Sequence, residues 1–255
     1  MAVLTVCIPT YEMKGLGVAY LRHSFDMLAV QTYTDFDIVV SDHSTNTDIE
    51  DLCRTYAHAL SITYIKNTAN RGSSSANINN AIVHAKGSLI KLLFQDDFLF
   101  NERSLEETVE AFDLDRDTWL VTACIHTHDG TTMYRPYHPR YTRDIHLGNN
   151  TLSSPSVLTI KNDSPLLFDE QLIWLMDCEY YKRYHDRFGM PKILNTITVV
   201  NRIGEHQVSN TLATTVLRKK EFDYVLEKYE QGMTRIYYRC IYAIRRLIKL
   251  IRTTA

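Results

Sequence analysis

Residues 88–100 read Ser-Leu-Ile-Lys-Leu-Leu-Phe-Gln-Asp-Asp-Phe-Leu-Phe, an apolar run of strand type that breaks at Asp96 and Asp97 and then resumes. Ionised carboxylates beside a core are costly unless cations or hydrogen-bond donors satisfy them. In an α/β protein, the carboxyl end of a buried strand is also the edge where ligands gather. The pair therefore reads as oxygen ligands for Mg²⁺ or Mn²⁺ with a phosphate behind it, Asp97 the closer and Asp96 its neighbour. The competing reading is a pair of aspartates capping the next helix.

The flanking sequence sets the context. Val3–Ile8, Asp37–Val40, Ile62–Ile65, Ser88–Phe94 and Trp119–Ile125 are strand candidates. Between them Leu21, Phe25, Leu28 and Ala29 recur at helical spacing, as do Ile49, Leu52, Tyr56 and Ala59, and then Ile78, Ala81, Ile82 and Ala85. Such alternation predicts a mainly parallel sheet covered by helices. Residues 127–150 lack periodicity and are rich in His, Tyr, Arg, Gly and Pro, which predicts a long functional loop. Beyond it come a strand at Pro155–Ile160, a helix over Asp169–Phe188 opened by acidic residues, and a strand at Ile193–Val200. A polar loop at Asn201–Asn210 then leads to two helices, Lys219–Gln231 and Thr234–Arg252. Residues 1–210 read as one α/β domain and 211–255 as a helical extension.

A chain of 255 residues can bury a sizeable core, and its formal net charge of −2 gives no sign of a nucleic-acid partner. The five scattered cysteines include no CxxC pair, which favours a reducing, cytoplasmic compartment over a disulfide framework or a zinc site. The first nine residues are apolar but lack a basic region, and read as the first strand rather than a signal peptide.

Polar clusters fall at the same edge as Asp96 and Asp97. The first strand ends in Pro9-Thr10-Tyr11-Glu12 and the second in Ser41-Asp42-His43-Ser44-Thr45. Asp42 suits the imide N–H of a pyrimidine, or else an N-cap of the following helix. Asn70-Arg71-Gly72-Ser73-Ser74-Ser75-Ala76-Asn77 precedes the third helix, where small residues and a helix N-terminus favour phosphate and Arg71 adds charge. Gly and Ser are also ordinary helix-start residues. Neither GxGxxG nor GKS occurs in it, which excludes the Rossmann dinucleotide and P-loop readings. His126 and His128 form an HxH pair that reads as metal-binding or as surface packing.

The ordered set Ile8-Pro9-Thr10-Tyr11, Val39–Thr45, Asn70-Arg71-Gly72 with Ala76-Asn77, and Gln95-Asp96-Asp97 resembles the family 2 glycosyltransferases of GT-A (Rossmann-like) fold. Phe168-Asp169-Glu170 with Trp174-Leu175-Met176-Asp177-Cys178-Glu179 looks like that family's acidic helix, and the resemblance covers about residues 3–206. It implies a nucleotide-diphosphate-sugar donor, a divalent metal and inversion at the anomeric carbon. Pro9, Thr10, Tyr11, Glu12, Asp42, Asn70, Arg71, Asn77 and Asp96 would then face the donor, with Asp42 on a uracil or thymine. Asp97 and His206 would hold the metal, and Asp177 would be the catalytic base. Asn150, Ser154 and Trp174 would line the acceptor side. Three positions depart from the pattern. Phe94 stands where many members have Asp, Ser41 replaces the first Asp of the usual pair, and Met176 replaces the Glu before the base, which leaves Glu179 as a competing base.

One base suffices for direct displacement when a metal neutralises the departing diphosphate, whereas a glycoside hydrolase needs two carboxyls. Two other readings remain. A sugar nucleotidyltransferase would need a basic, Gly-rich loop after the first strand, and Glu12-Met13-Lys14-Gly15-Leu16-Gly17 is a poor version of one. A non-catalytic nucleotide-sugar-binding protein would have no need to keep Asp42, Asp97, Asp177 and His206 together.

At 100° per residue Ile236, Ile241, Ile244, Leu247, Ile248 and Ile251 gather on one side of the last helix, and Arg239, Arg245, Arg246, Lys249 and Arg252 on the other. That arrangement suits an anionic membrane surface on the cytoplasmic face, where a lipid-linked glycan acceptor would lie. The alternative is packing of the Ile face on the domain or on a second copy in a homodimer.

Overall fold

The structure, a computed structural model, describes residues 3–204 and 213–254. Nine strands among these form one sheet: β1 (Leu4–Thr10), β2 (Phe36–Asp42), β3 (Ile62–Lys66), β4 (Leu89–Leu92), β5 (Phe98–Leu99), β6 (Trp119–Thr127), β7 (Met133–Tyr137), β8 (Leu158–Lys161) and β9 (Lys192–Arg202). Their order is β3-β2-β1-β4-β8-β6-β9-β5, with β7 paired to β6. The first four strands run parallel. β8 lies antiparallel between β4 and β6, whereas β9 runs parallel to β6.

Side chains of the central strands alternate between two cores, as the period of two requires. Leu4, Val6, Ile8, Ile38, Val40, Leu89 and Leu93 join one cluster, and Cys7, Val39, Ile90 and Leu92 the other. The first core is covered by α1 (Gly17–Ala29), α2 (Asp48–Tyr56) and α4 (Ser104–Glu110). The second is covered by α3 (Ser74–His84), α5 (Met176–Phe188) and α6 (Thr215–Tyr229). Helices on both faces leave the strands dry on both sides, which explains their near-continuous apolar runs.

Several expectations need correction. The span 127–150 is not one loop, because β7 pairs antiparallel with β6 through Cys124↔Tyr137 and Thr127↔Met133. Its strand signal is masked by a β-bulge and by Arg135, which takes a positive φ of 53°. The helix expected from Asp169 begins only at Met176; residues 169–175 form turns, so Asp169 and Glu170 precede it. Pro155–Val157 is a single 3-10 turn ahead of β8. The expected division at residue 210 falls outside the described residues. Within the helical extension beyond it, Val225 and Leu226 of α6 are fully buried, and Val225 joins the second core. The last helix, α7 (Gly232–Thr254), packs on α6 through Phe222 stacked on Tyr242 at 4.1 Å and Arg239 paired with Glu227 at 3.2 Å.

Candidate active site at the carboxyl edge of the sheet

The main strands deliver their last residues to one edge, where a cavity of about 450 Å³ opens. Tyr11 and Asp96, which follow β1 and β4, line it together with Asp97, Asn150, Ser154, Trp174 and Asp177. These residues come together from four separate stretches of the chain.

Asp97 is 4% exposed, yet it is well supplied with donors. Its carboxylate accepts from Ser154 Oγ at 3.0 Å, Asn201 Nδ2 at 2.8 Å and the Arg202 backbone N–H at 3.0 Å. The last two partners sit at the end of β9, which runs two residues past its expected limit. Burial, and then the neighbouring Asp96 charge, push the Asp97 carboxyl well above its ordinary range. The Ser156 hydroxyl is a further partner of this carboxylate, so a cation bound to Asp97 would share it with, or displace, one of these donors. Among the described residues no cluster of three or more His, Cys, Asp or Glu side chains surrounds it. One or two carboxylates completed by phosphate oxygens and water is how Mg²⁺ is usually held, so Asp97 with Asp96 fits such a group. His206, expected as a second ligand, lies outside the described residues.

Asp177 opens α5 and faces the cavity. It accepts from Asn150 Nδ2 at 2.6 Å and from the Cys178 N–H at 2.7 Å. Burial pushes its carboxyl up to about 6 despite those bonds. Asn150 is fixed in turn, since its Oδ1 accepts the N–H groups of Leu152 and Ser153. Ser153 adopts a φ of 83°, unusual for a residue with a side chain, and its hydroxyl donates to Asn201 Oδ1.

Glu179 is the clear correction. It is fully buried and does not line the cavity. Arg183 grips it with two hydrogen bonds of 2.9 and 2.8 Å, Tyr229 donates at 2.6 Å, and Lys228 pairs at 2.9 Å. Residues two apart on a helix point about 200° apart, so once Asp177 faces the cavity Glu179 faces α6.

Of the residues expected to face the donor, Tyr11 and Asp96 line the cavity, whereas Pro9, Thr10, Glu12, Asp42, Asn70, Arg71 and Asn77 do not. Asp42 is fully buried and accepts from Thr10 Oγ1, the Ser44 N–H, Tyr64 OH and Lys66 Nζ. A base reaching it must displace one of those donors. Asn77 ties α3 to the strands, donating to the Thr10 carbonyl at 3.0 Å and accepting from Ser41 Oγ at 2.7 Å. Glu12 accepts from Thr45 Oγ1 at 2.6 Å, Asn70 donates to Glu170 at 2.8 Å, and Arg71 is exposed. The two histidines of the HxH pair are engaged separately: His126, which lines the cavity, bonds the Arg135 carbonyl through Nδ1, while His128 uses both ring nitrogens, on the Ile203 carbonyl and Tyr134 OH.

Three contributors escaped the sequence reading. Gln95 clamps the β1 exit, accepting the Tyr11 N–H at 2.9 Å and donating to the Gly17 carbonyl at 2.8 Å. Only glycine fits at Gly17, where a Cβ would stand 2.3 Å from the Tyr11 carbonyl oxygen. Asn201 was detectable as a polar residue just past an apolar strand. Lys91, wholly buried in β4 with its ammonium on the Ser156 carbonyl, gave no sign beyond being a charge in an apolar run.

Comparison with known proteins accords with this geometry. An uncharacterised glycosyltransferase of Methanocaldococcus jannaschii is 27% identical over 176 residues, which are 64% of this chain and 59% of that protein. The chain thus spans under two thirds of that relative's length. The structure of S. aureus TarS 1–349 with UDP-GlcNAc superposes with a TM-score of 0.67 at 20% identity, covering 88% of this chain and 64% of the other. The mannosyltransferase PcManGT of Pyrobaculum calidifontis with GDP-Man and Mn²⁺ gives 0.58 at 13% identity, covering 99% and 82%. At these identities the likeness establishes the GT-A fold. The sequence profile of glycosyl transferase family 2 matches residues 5–169, well over half the chain, and this protein belongs to that family.

Proposed function

We propose that the protein is an inverting glycosyltransferase that moves a sugar from a UDP- or dTDP-sugar to a hydroxyl of a glycan or lipid-linked glycan in surface polysaccharide synthesis. The carrying observation is that Asp96, Asp97 and Asp177 open onto one cavity, with the Asp177 carboxyl raised to about 6. A base acts best when its pKa lies near the working pH. Asp177, oriented by Asn150, takes the proton from the acceptor hydroxyl as the oxygen attacks the anomeric carbon. Asp97, aligned by Ser154, Asn201 and the Arg202 amide, is the residue to hold Mn²⁺ or Mg²⁺ beside the diphosphate, with Asp96 next to it. A cation bound there supplies charge neutralisation for the departing diphosphate. With Glu179 withdrawn, one carboxylate remains for proton transfer, as single displacement requires. The structures of TarS with UDP-GlcNAc and PcManGT with GDP-Man support a nucleotide-sugar donor.

The membrane reading rests on α7. Met233, Ile236, Tyr237 and Ile244 are 80, 56, 60 and 57% exposed, in a helix whose sequence over 234–252 holds six basic residues and no acidic one. No helix among the described residues is long and apolar enough to cross a membrane. We place α7 flat on an anionic surface, at the cytoplasmic face, rather than in a homodimer.

A panel of UDP-, dTDP- and GDP-sugars, with Mn²⁺ or EDTA, tests the core of this reading by thermal stabilisation and donor hydrolysis. One UDP- or dTDP-sugar should stabilise and be hydrolysed only with metal present. A protein that no nucleotide sugar stabilises, and that hydrolyses none, is not this enzyme.

A further inference from the structure

The wall of the cavity just before Asp177 is the turn Ile173-Trp174-Leu175. All three of its backbone N–H groups converge on one carboxylate from another part of the chain. Glu221 of α6, 1% exposed, accepts from Ile173 at 2.8 Å, Trp174 at 2.9 Å and Leu175 at 2.8 Å. Bonds to an ionised acceptor are the stronger kind, and three in succession fix the backbone from which α5 starts. One turn earlier on α6, the Arg218 guanidinium lies 4.9 Å from the Trp174 ring centroid. Gly148 presses on the same indole, where a Cβ would come within 2.9 Å of the ring. The rest of α6 grips the same region, since Lys228 bonds Asp169 at 2.7 Å and pairs with Glu179 at 2.9 Å.

We propose that Glu221, assisted by Arg218, is a positioning residue for glycosyl transfer: it holds the Ile173–Leu175 wall so that Trp174 meets the acceptor and Asp177 meets its hydroxyl. This rests on the reading of Asp177 as base. It makes α6 part of the catalytic unit. The β1–β4 side of the site, with Asp96 and Tyr11, has no contact with Glu221, so donor binding is separable from transfer.

The test uses the full chain, its Glu221→Gln, Glu221→Ala and Arg218→Ala variants, and the nucleotide sugar and acceptor that the wild type uses. Three readouts are taken: donor hydrolysis without acceptor, the kcat and acceptor KM of transfer with its pH profile, and acrylamide quenching of tryptophan. Trp119 is buried, so quenching reports Trp174. Displacement of a reacting group by an ångström costs on the order of 10²-fold, so kcat should fall by about that in Glu221→Ala and less in Glu221→Gln, which keeps one acceptor oxygen. Donor KM should hold, the acidic limb of the pH profile should move, and Trp174 should quench more readily. Arg218→Ala removes the contact on Trp174 and a hydrogen bond to the Ala213 carbonyl at 2.8 Å but leaves Glu221 in place, and should raise the acceptor KM severalfold while the protein stays folded. If Glu221→Ala does not fold, Glu221→Gln and Arg218→Ala carry the test. Wild-type transfer in both, unaltered quenching, or loss of donor hydrolysis in step with transfer overturns the proposal. Absence of any donor use by the wild type overturns the proposed function instead, and quenching then still decides whether Glu221 sets the wall.

Discussion

Replacing Asp177 by Asn should make the protein inactive and, at neutral pH, more stable. Burial raises the Asp177 carboxyl from 3.8 to about 6, so folding favours its protonated form. The folded state binds more protons than the unfolded chain between those values, and wild-type stability falls as pH rises through that window. At about 1.4 kcal/mol for each tenfold change in acidity, the ionised side chain costs about 3 kcal/mol above pH 6. Asn keeps the shape and an oxygen for the Cys178 N–H, but has no charge to desolvate. Its amide nitrogen then faces the Asn150 Nδ2 donor, so that hydrogen bond is lost at every pH, which costs about 1 kcal/mol. The net expectation is a gain of about 2 kcal/mol at pH 8 that turns into a loss of about 1 kcal/mol below pH 4, with transfer down about 10²–10⁴-fold and donor affinity unchanged. Urea unfolding of both proteins at pH 4, 6 and 8, with transfer measured alongside, checks it. A variant that is less stable than wild type by the same amount at every pH refutes the electrostatic reasoning. Retained transfer refutes the assignment of the base.

Glu179→Gln should leave most transfer intact but lower stability by about 3–5 kcal/mol, since it uncouples a buried carboxylate from Arg183 and Lys228; full stability in urea would contradict the structural role. Asp97→Asn should abolish metal-dependent stabilisation by the donor while the fold survives, and metal-independent activity in EDTA would remove the cation from the mechanism. Asp97→Ala should additionally destabilise by about 1–3 kcal/mol for each donor left unpaired among Ser154, Asn201 and the Arg202 amide. Truncation after Gln231 removes α7 but keeps Glu221, so donor binding should persist while sedimentation with anionic vesicles is lost; unfolding or a change from dimer to monomer would make α7 structural.

The alternation of apolar runs along the chain was enough to determine an α/β sheet with helices on both faces, because burial on both faces of a strand is a local property. The acidic break at Asp96–Asp97 also pointed to the edge where the cavity opens, although the letters alone left a helix cap as the competing reading. What the sequence by itself could not decide was orientation. Asp177 and Glu179 are equivalent as letters in an acidic helix, and only the packing of α5 against α6 turned one toward the cavity and the other into a buried cluster of Arg183, Lys228 and Tyr229. Asp42, legible as a ligand-binding aspartate, became a knot between strands because Tyr64 and Lys66 come from β3, next to β2. Glu221 was invisible for the same reason: its three partners lie 46 to 48 residues away, and a contact of that range is fixed by tertiary packing, not by any local pattern.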